Sequence, residues 1–155
     1  MKAIQDYYAE HFAKCFGCGR LNEKGYQLKT YWDGNQTLTK YIPKNFHTAI
    51  PGFVYGGLIA SLIDCHGTGS AALALSKANN IVLDENKLNA PRCVTASLKV
   101  DYKKPTPIGV VLEIHGIIKE IKGKKVTVDA QLIANGEVCA TGEIIAIQVG
   151  DDFGK

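Results

Sequence analysis

From residue 94 onward, apolar and polar residues alternate along the chain. Val94, Ala96, Leu98, Val100 and Tyr102 are separated by Thr95, Ser97, Lys99 and Asp101, the period of two expected of a half-buried strand. Segments 110–120, 125–134 and 137–149 read as three more strands. Lys122-Gly123-Lys124 and Asn135-Gly136 fall where hairpin turns belong. Nearer the N-terminus, 26–32 and 36–42 read as a hairpin turning at Asp33-Gly34-Asn35. Residues 1–13 carry Ile4, Tyr7, Tyr8 and Phe12 on one side of a short amphipathic helix. Segments 43–53 and 78–92 read as loops, the second closed by Pro91.

A different pattern covers residues 56–77. Leu58, Ile59, Leu62, Ile63, Leu73 and Leu75 are spread nearly all round a helical projection, and a helix apolar on most sides is buried rather than lying on a surface. The order is helix, two strands, long buried helix, four strands. One antiparallel sheet wrapped around a long central helix satisfies it, an α+β architecture. A single sheet cannot cover a helix completely, so a symmetric homodimer is expected. No repeat or internal boundary interrupts 1–150, which reads as one domain. Residues 151–155 read as a frayed C-terminal tail.

Composition narrows the function classes. The formal net charge of the 155 residues is only +3, and no basic stripe with interleaved aromatics suggests a nucleic-acid partner. Asp64 and His66 interrupt the most apolar window, so no membrane span is expected. The N-terminal MKAIQDYYAEHF has no apolar signal-peptide core, which makes the cytoplasm the expected location. The odd count of five cysteines argues against a disulfide framework. Cys15-Phe-Gly-Cys18 is half of a zinc pattern. His11, Cys65, His66 and Cys93 add no recognisable spacing, so the pair reads as a turn with two packed thiols, with no metal and no cofactor.

Asp64 carries the strongest chemical signal. It stands in PGFVYGGLIASLIDCHGTGS, 51–70, among small and apolar residues, where a charge is costly unless something uses or neutralises it. Positions 57, 60, 61, 64, 68 and 71 share one helix face and are Gly, Ala, Ser, Asp, Thr and Ala. That face has room for a ligand. Gly56 and Gly57 open the helix, where amides lack intrahelical acceptors and the dipole is positive. Such amides suit a carbonyl oxygen that becomes an oxyanion. From Gly56 to Asp64 the axial rise is roughly 12 Å, too far for both to act on one carbon. Two such helices running antiparallel in a dimer would set Gly56 of one subunit opposite Asp64 of the other.

The motifs CFGCG, PGFVYGG…LID and VTASLKVDYKKPTPIG, in this order, resemble the hotdog-fold acyl-CoA thioesterases of the PaaI-like group. The resemblance covers nearly the whole chain. It implies an acyl-CoA substrate, Asp64 as general base or nucleophile, and the Gly56 amide as oxyanion donor. It places Thr95 beside the acid and shares the site across a homodimer, often a homotetramer built as a dimer of dimers.

Two positions depart from that pattern. Tyr55 replaces the usual His before the glycine pair, and Ala49 stands where an Asn or Gln is common. Tyr55, Gly57 and His47 are therefore read as substrate-binding positions around the glycines. The departures also motivate the alternative of a non-catalytic acyl-CoA-binding protein. A hotdog dehydratase would want the missing His. Lys103, Lys104 and Arg92 are candidates to meet coenzyme A phosphates. His66 points away from Asp64 on the helix and reads as hydrogen-bonded or surface-placed. His115 is read as solvent-facing, and Lys119–Lys125 as a solvated hairpin tip.

Overall fold

The computed structural model describes residues 2–155. Strands β1 (Thr30–Asp33) and β2 (Gln36–Tyr41) precede helix α1 (Gly56–Ala78), and β3 (Arg92–Tyr102), β4 (Leu112–Lys122), β5 (Lys125–Ala134) and β6 (Glu137–Val149) follow it. They form one antiparallel sheet in the order β1-β2-β4-β5-β6-β3. The expected meander is β4-β5-β6. Strand β3 sits at the far edge, paired with β6 across a register shift between Thr95 and Ser97. At the β5–β6 turn both Asn135 and Gly136 have positive φ, 52° and 77°, as a two-residue hairpin turn requires.

The sheet curves around α1, which is buried from Leu62 onward except at Asp64 and its last turn. Leu58, Leu62, Ile63 and Leu75 pack against Leu112, Ile114, Val126, Val128, Leu132 and Ile144. Small residues set the separation. A Cβ on Gly67 would lie 2.5 Å from Ile144 Cγ1, and one on Gly142 would lie 2.5 Å from Ile63 Cγ2. Helix and sheet therefore touch backbone to side chain, closer than alanine allows. By length and composition α1 is apolar enough to cross a bilayer, contrary to expectation, because Asp64 and His66 do not offset its apolar residues. Most of that stretch is buried against the sheet.

A chain of buried polar groups crosses beneath the first hairpin. Gln5 Nε2 donates to Thr30 Oγ1 at 3.0 Å and Gln5 Oε1 accepts from the Thr30 amide at 2.9 Å. The Thr30 and Thr39 hydroxyls meet at 3.0 Å. His66 Nδ1 lies 2.8 Å from Thr39 Oγ1, and its Nε2 lies 3.2 Å from Thr37 Oγ1 and 3.3 Å from Ser70 Oγ. His66 is thus hydrogen-bonded and fully buried. Burial first, and the nearby His115 second, lower its pKa to about 3.

Three sequence expectations change. Of the expected helix 1–13, residue 1 lies outside the described residues, and 2–13 hold two 3-10 turns, Ile4–Tyr7 and Glu10–Phe12, instead of a helix. Their carbonyls are claimed from outside: the Arg20 guanidinium donates to those of Gln5 and Tyr8, and the Ala90 amide to that of Tyr7. The first strand starts at Thr30, not 26. Gln27 has φ 51°, and the Tyr26 and Leu28 amides bond the carbonyls of Phe16 and Gly17. Strand β4 starts at Leu112 because the segment before it pairs elsewhere: Ile108 donates to Gly52, and Phe53 bridges Pro107. The tail 151–155 is exposed, and the His11 ring bonds the Asp151 carbonyl at 2.8 Å.

Gly67→Ala should destabilise the fold by about 1–3 kcal/mol through overpacking, read by urea denaturation; unchanged stability would contradict the close contact. His66 gives a pH prediction. Its folded pKa lies below the ordinary 6.5, so below that pH the unfolded chain takes up a proton that the folded chain refuses. Stability should fall as pH drops from about 6.5 toward 3, by about 1.4 kcal/mol per unit from this group. His66→Gln should flatten that slope relative to wild type in denaturation curves taken across the range.

Candidate active site

Helix α1 and strand β3 bring Asp64 and Thr95 together. Thr95 Oγ1 donates to Asp64 Oδ1 at 2.5 Å. A charge-assisted bond of this kind is short and strong. It leaves Oδ2 free of that contact. Both residues are half-buried, so the carboxylate is partly dried without being sealed. The register shift at Thr95/Ser97 lies beside this contact, and bulges of this kind re-aim a side chain.

The same face of α1 remains uncovered. Gly57 is exposed, Ala60, Ser61 and Asp64 are half-buried, and residues 96–99 of the neighbouring edge strand are exposed. The helix starts with Tyr55 as a cap that makes no side-chain cap bond. Its carbonyl accepts from the Leu58 and Ile59 amides at 3.2 and 3.4 Å. The Gly56 and Gly57 amides have no backbone acceptor among the described residues, as the first amides of a helix should. The Gly56 carbonyl accepts from Tyr102 Oη at 2.8 Å.

Tyr55 and His47 turn out to shape this end of the helix. The Tyr55 ring, 37% exposed, lies over Gly57, where a Cβ would come within 2.6 Å of Tyr55 Cε2. Burial, then the adjacent Tyr55 hydroxyl, push the Tyr26 phenol up to about 12. His47 Nδ1 accepts from the Lys44 amide at 3.0 Å, and its ring meets Phe46 and Tyr26 edge to face, with centroids 4.7 and 5.6 Å apart. Its carbonyl holds the Tyr55 amide at 3.1 Å. Burial and then Lys44 lower the His47 pKa. His47 therefore braces the loop that carries Tyr55.

A cavity of about 460 Å³ opens beside Gly56. Ile50, Phe53, Ile59 and Tyr102 give it apolar walls, and Lys103 and Lys104 stand at its margin. Thr106 also lines it, and its buried Oγ1 has no hydrogen-bond partner among the described residues. Sequence reasoning singled out the lysines but missed Tyr102 and Thr106. The signal was there in DYKKPTP, directly after a regular strand. Arg92 does not join this cavity. Its guanidinium lies over the Tyr8 ring at 4.9 Å and donates to the Cys93 carbonyl at 2.9 Å.

Within one chain, then, the structure pairs Asp64 with Thr95, and Gly56 with Tyr102. The two pairs stand at successive levels of the same helix, roughly 12 Å apart along its axis.

Known proteins share this arrangement of chain. Residues 51–141 match the profile of the thioesterase superfamily. A thioesterase superfamily protein from Shewanella loihica PV-4 has a solved structure similar to this one, with TM-score 0.66 and 50% sequence identity over 81% of this chain and 93% of that chain. The smu.793 protein of Streptococcus mutans UA159, solved bound to acetyl CoA, shares the fold at TM-score 0.61 and 15% identity, over 79% of this chain and 89% of its own. The acyl-coenzyme A thioesterase THEM4 of Xenopus laevis is 33% identical over 97 residues, 63% of this chain. The chain matches only 37% of that curated relative's length. One long helix held in a six-stranded antiparallel sheet, with its matched segment running from the loop before α1 into β6, gives the family: the chain belongs to the thioesterase superfamily, with the hotdog fold.

Proposed function

We propose that this protein hydrolyses acyl-CoA thioesters, with Asp64 as the acting carboxylate. The observation that carries this reading is the Thr95–Asp64 contact at 2.5 Å on the uncovered face of α1. Thr95 occupies Oδ1 and fixes the rotamer, so Oδ2 is the oxygen presented to a substrate. As general base, it takes a proton from water, whose oxygen adds to the thioester carbon. As nucleophile, Oδ2 adds to that carbon itself and water then cleaves the acyl-enzyme. In either route the carbonyl oxygen gains charge, the C–S bond breaks, and the CoA thiolate leaves and is protonated.

The oxyanion needs donors about 3 Å away, and the amides of the same chain's helix start are too distant. The Gly56 and Gly57 amides of a second subunit meet the need if two α1 helices pack antiparallel through their uncovered small-residue faces. The exposed Ala96–Lys99 stretch of β3 and the half-covered Ala60 and Ser61 support a homodimer of this kind. The apolar cavity beside Gly56 suits the pantetheine arm and acyl chain, with Lys103 and Lys104 available to the phosphates. The acetyl CoA held by the Streptococcus mutans protein supports a CoA ester as ligand class. The THEM4 relative supports hydrolysis.

Thiol release from acyl-CoA esters of graded chain length tests the reading. Asp64→Asn should lower kcat by about 10²–10⁴-fold, with binding of the CoA ester retained. Thr95→Val should cost about 10- to 100-fold, the worth of a bond to a charged group, and serine at the same position should recover most of it. Wild-type protein that binds acyl-CoA but releases no thiol would instead establish a binding protein. Release undiminished in Asp64→Asn would remove Asp64 from the chemistry.

A further inference from the structure

We propose that Cys15, Cys18 and Cys65 form a zinc site that ties the N-terminal loop to α1 behind the candidate active site. The three Sγ atoms lie within 4.8 Å of one another, and Cys15 and Cys65 are 3.9 Å apart. Tetrahedral zinc with Zn–S bonds of about 2.3 Å needs sulfur atoms about 3.8 Å apart. The Cys15–Cys65 separation suits a shared ion and exceeds the about 2.05 Å of a disulfide bond, and all three thiols are free.

The surrounding chain is cut to this arrangement. A Cβ on Gly17 would lie 2.3 Å from Cys65 Sγ, so only glycine lets the helix thiol reach the loop. One on Gly19 would lie 2.5 Å from both the Ala13 carbonyl oxygen and the Cys15 amide nitrogen, which keeps the turn tight. Three thiolates around a divalent ion leave one negative charge. Arg92, which lines a cavity together with Cys15, is placed to balance it. The Tyr8 hydroxyl supplies an independent sign of a missing partner. It is buried and without a hydrogen bond among the described residues, and the Arg92 guanidinium lies over its ring at 4.9 Å.

A structural zinc ion takes four ligands. Cys15 lines a cavity of about 230 Å³ together with His11 and Arg92, so water can complete the shell. Cys65 directly follows Asp64 in the helix. The ion would therefore clamp the loop to the turn of α1 that carries the acid, without touching substrate.

Metal analysis of the full chain tests this. Reduced wild-type protein, incubated with zinc and desalted, should hold about one ion per chain. Cobalt in its place should give thiolate-to-cobalt charge-transfer absorption. Cys18→Ser and Cys65→Ser should each lose the ion and the absorption. Cys93→Ser and Asp64→Asn should keep both, which separates this site from the proposed chemistry. Wild type that retains no zinc and shows no cobalt absorption when fully reduced would overturn the proposal, as would a Cys15–Cys18 disulfide pair with no metal affinity after reduction. Because the wild-type readings decide the matter, a serine variant that fails to fold leaves the test intact.

Discussion

The approach of α1 to the sheet through glycine sets the terms for everything else in this fold. Gly67 against Ile144 and Ile63 against Gly142 bring helix and sheet together more closely than any side chain would permit. The sheet can then wrap the helix almost completely, and the wrap excludes water from nearly every position but those near Asp64. A carboxylate in such a helix would be expensive if fully buried. It is tolerable because the wrap stops at the edge strand β3. There Thr95 supplies one strong hydrogen bond, and the rest of the carboxylate faces the uncovered strip.

That strip has two consequences. It is lined by Gly57, Ala60 and Ser61, residues too small to fill the space beside the acid. It also ends in an exposed edge strand, which natural proteins seldom leave unpaired. Covering both with a second copy would remove the exposed apolar and backbone groups together. The same contact would carry the free amides at the start of one helix toward the acid of the other. On the proposed reading, a packing need and a chemical need point to one geometry. About 100° round the helix from Asp64, the Cys65 thiol meets those of Cys15 and Cys18 in the N-terminal loop. An ion held there would brace the turn that carries the acid.

Much of this could be read in the sequence because it was written in local periodicity. Strict alternation marked β3, and Asn135-Gly136 marked a hairpin that the φ angles bear out. The all-round apolar pattern marked a buried helix, and Asp64 stood out as the charge within it. What escaped was long-range. The N-terminal segment has helical spacing, but Arg20 and Ala90 claim its carbonyls. Residues 26–29 look like strand, yet they bond to the loop carrying Cys15. Cys65 reaches Cys18 across 47 positions of sequence only because Gly17 clears its path, and no spacing rule encodes that. Tyr102 and Thr106 come to line one cavity with Gly56 only once the loop before α1 folds over the end of β3. His47, legible as a residue near the glycines, serves the loop itself.

If acid and oxyanion donors come from different subunits, subunit complementation tests it most directly. Gly56→Pro removes one donor amide at the first helical position, where proline is tolerated, and Asp64→Asn removes the acid. Each variant alone should be nearly inactive. Unfolded together and refolded, they should form mixed dimers with one intact site each, restoring roughly a quarter of wild-type thiol release per chain if pairing is random. No recovery from folded mixed dimers would contradict the shared site and place the chemistry within a single chain.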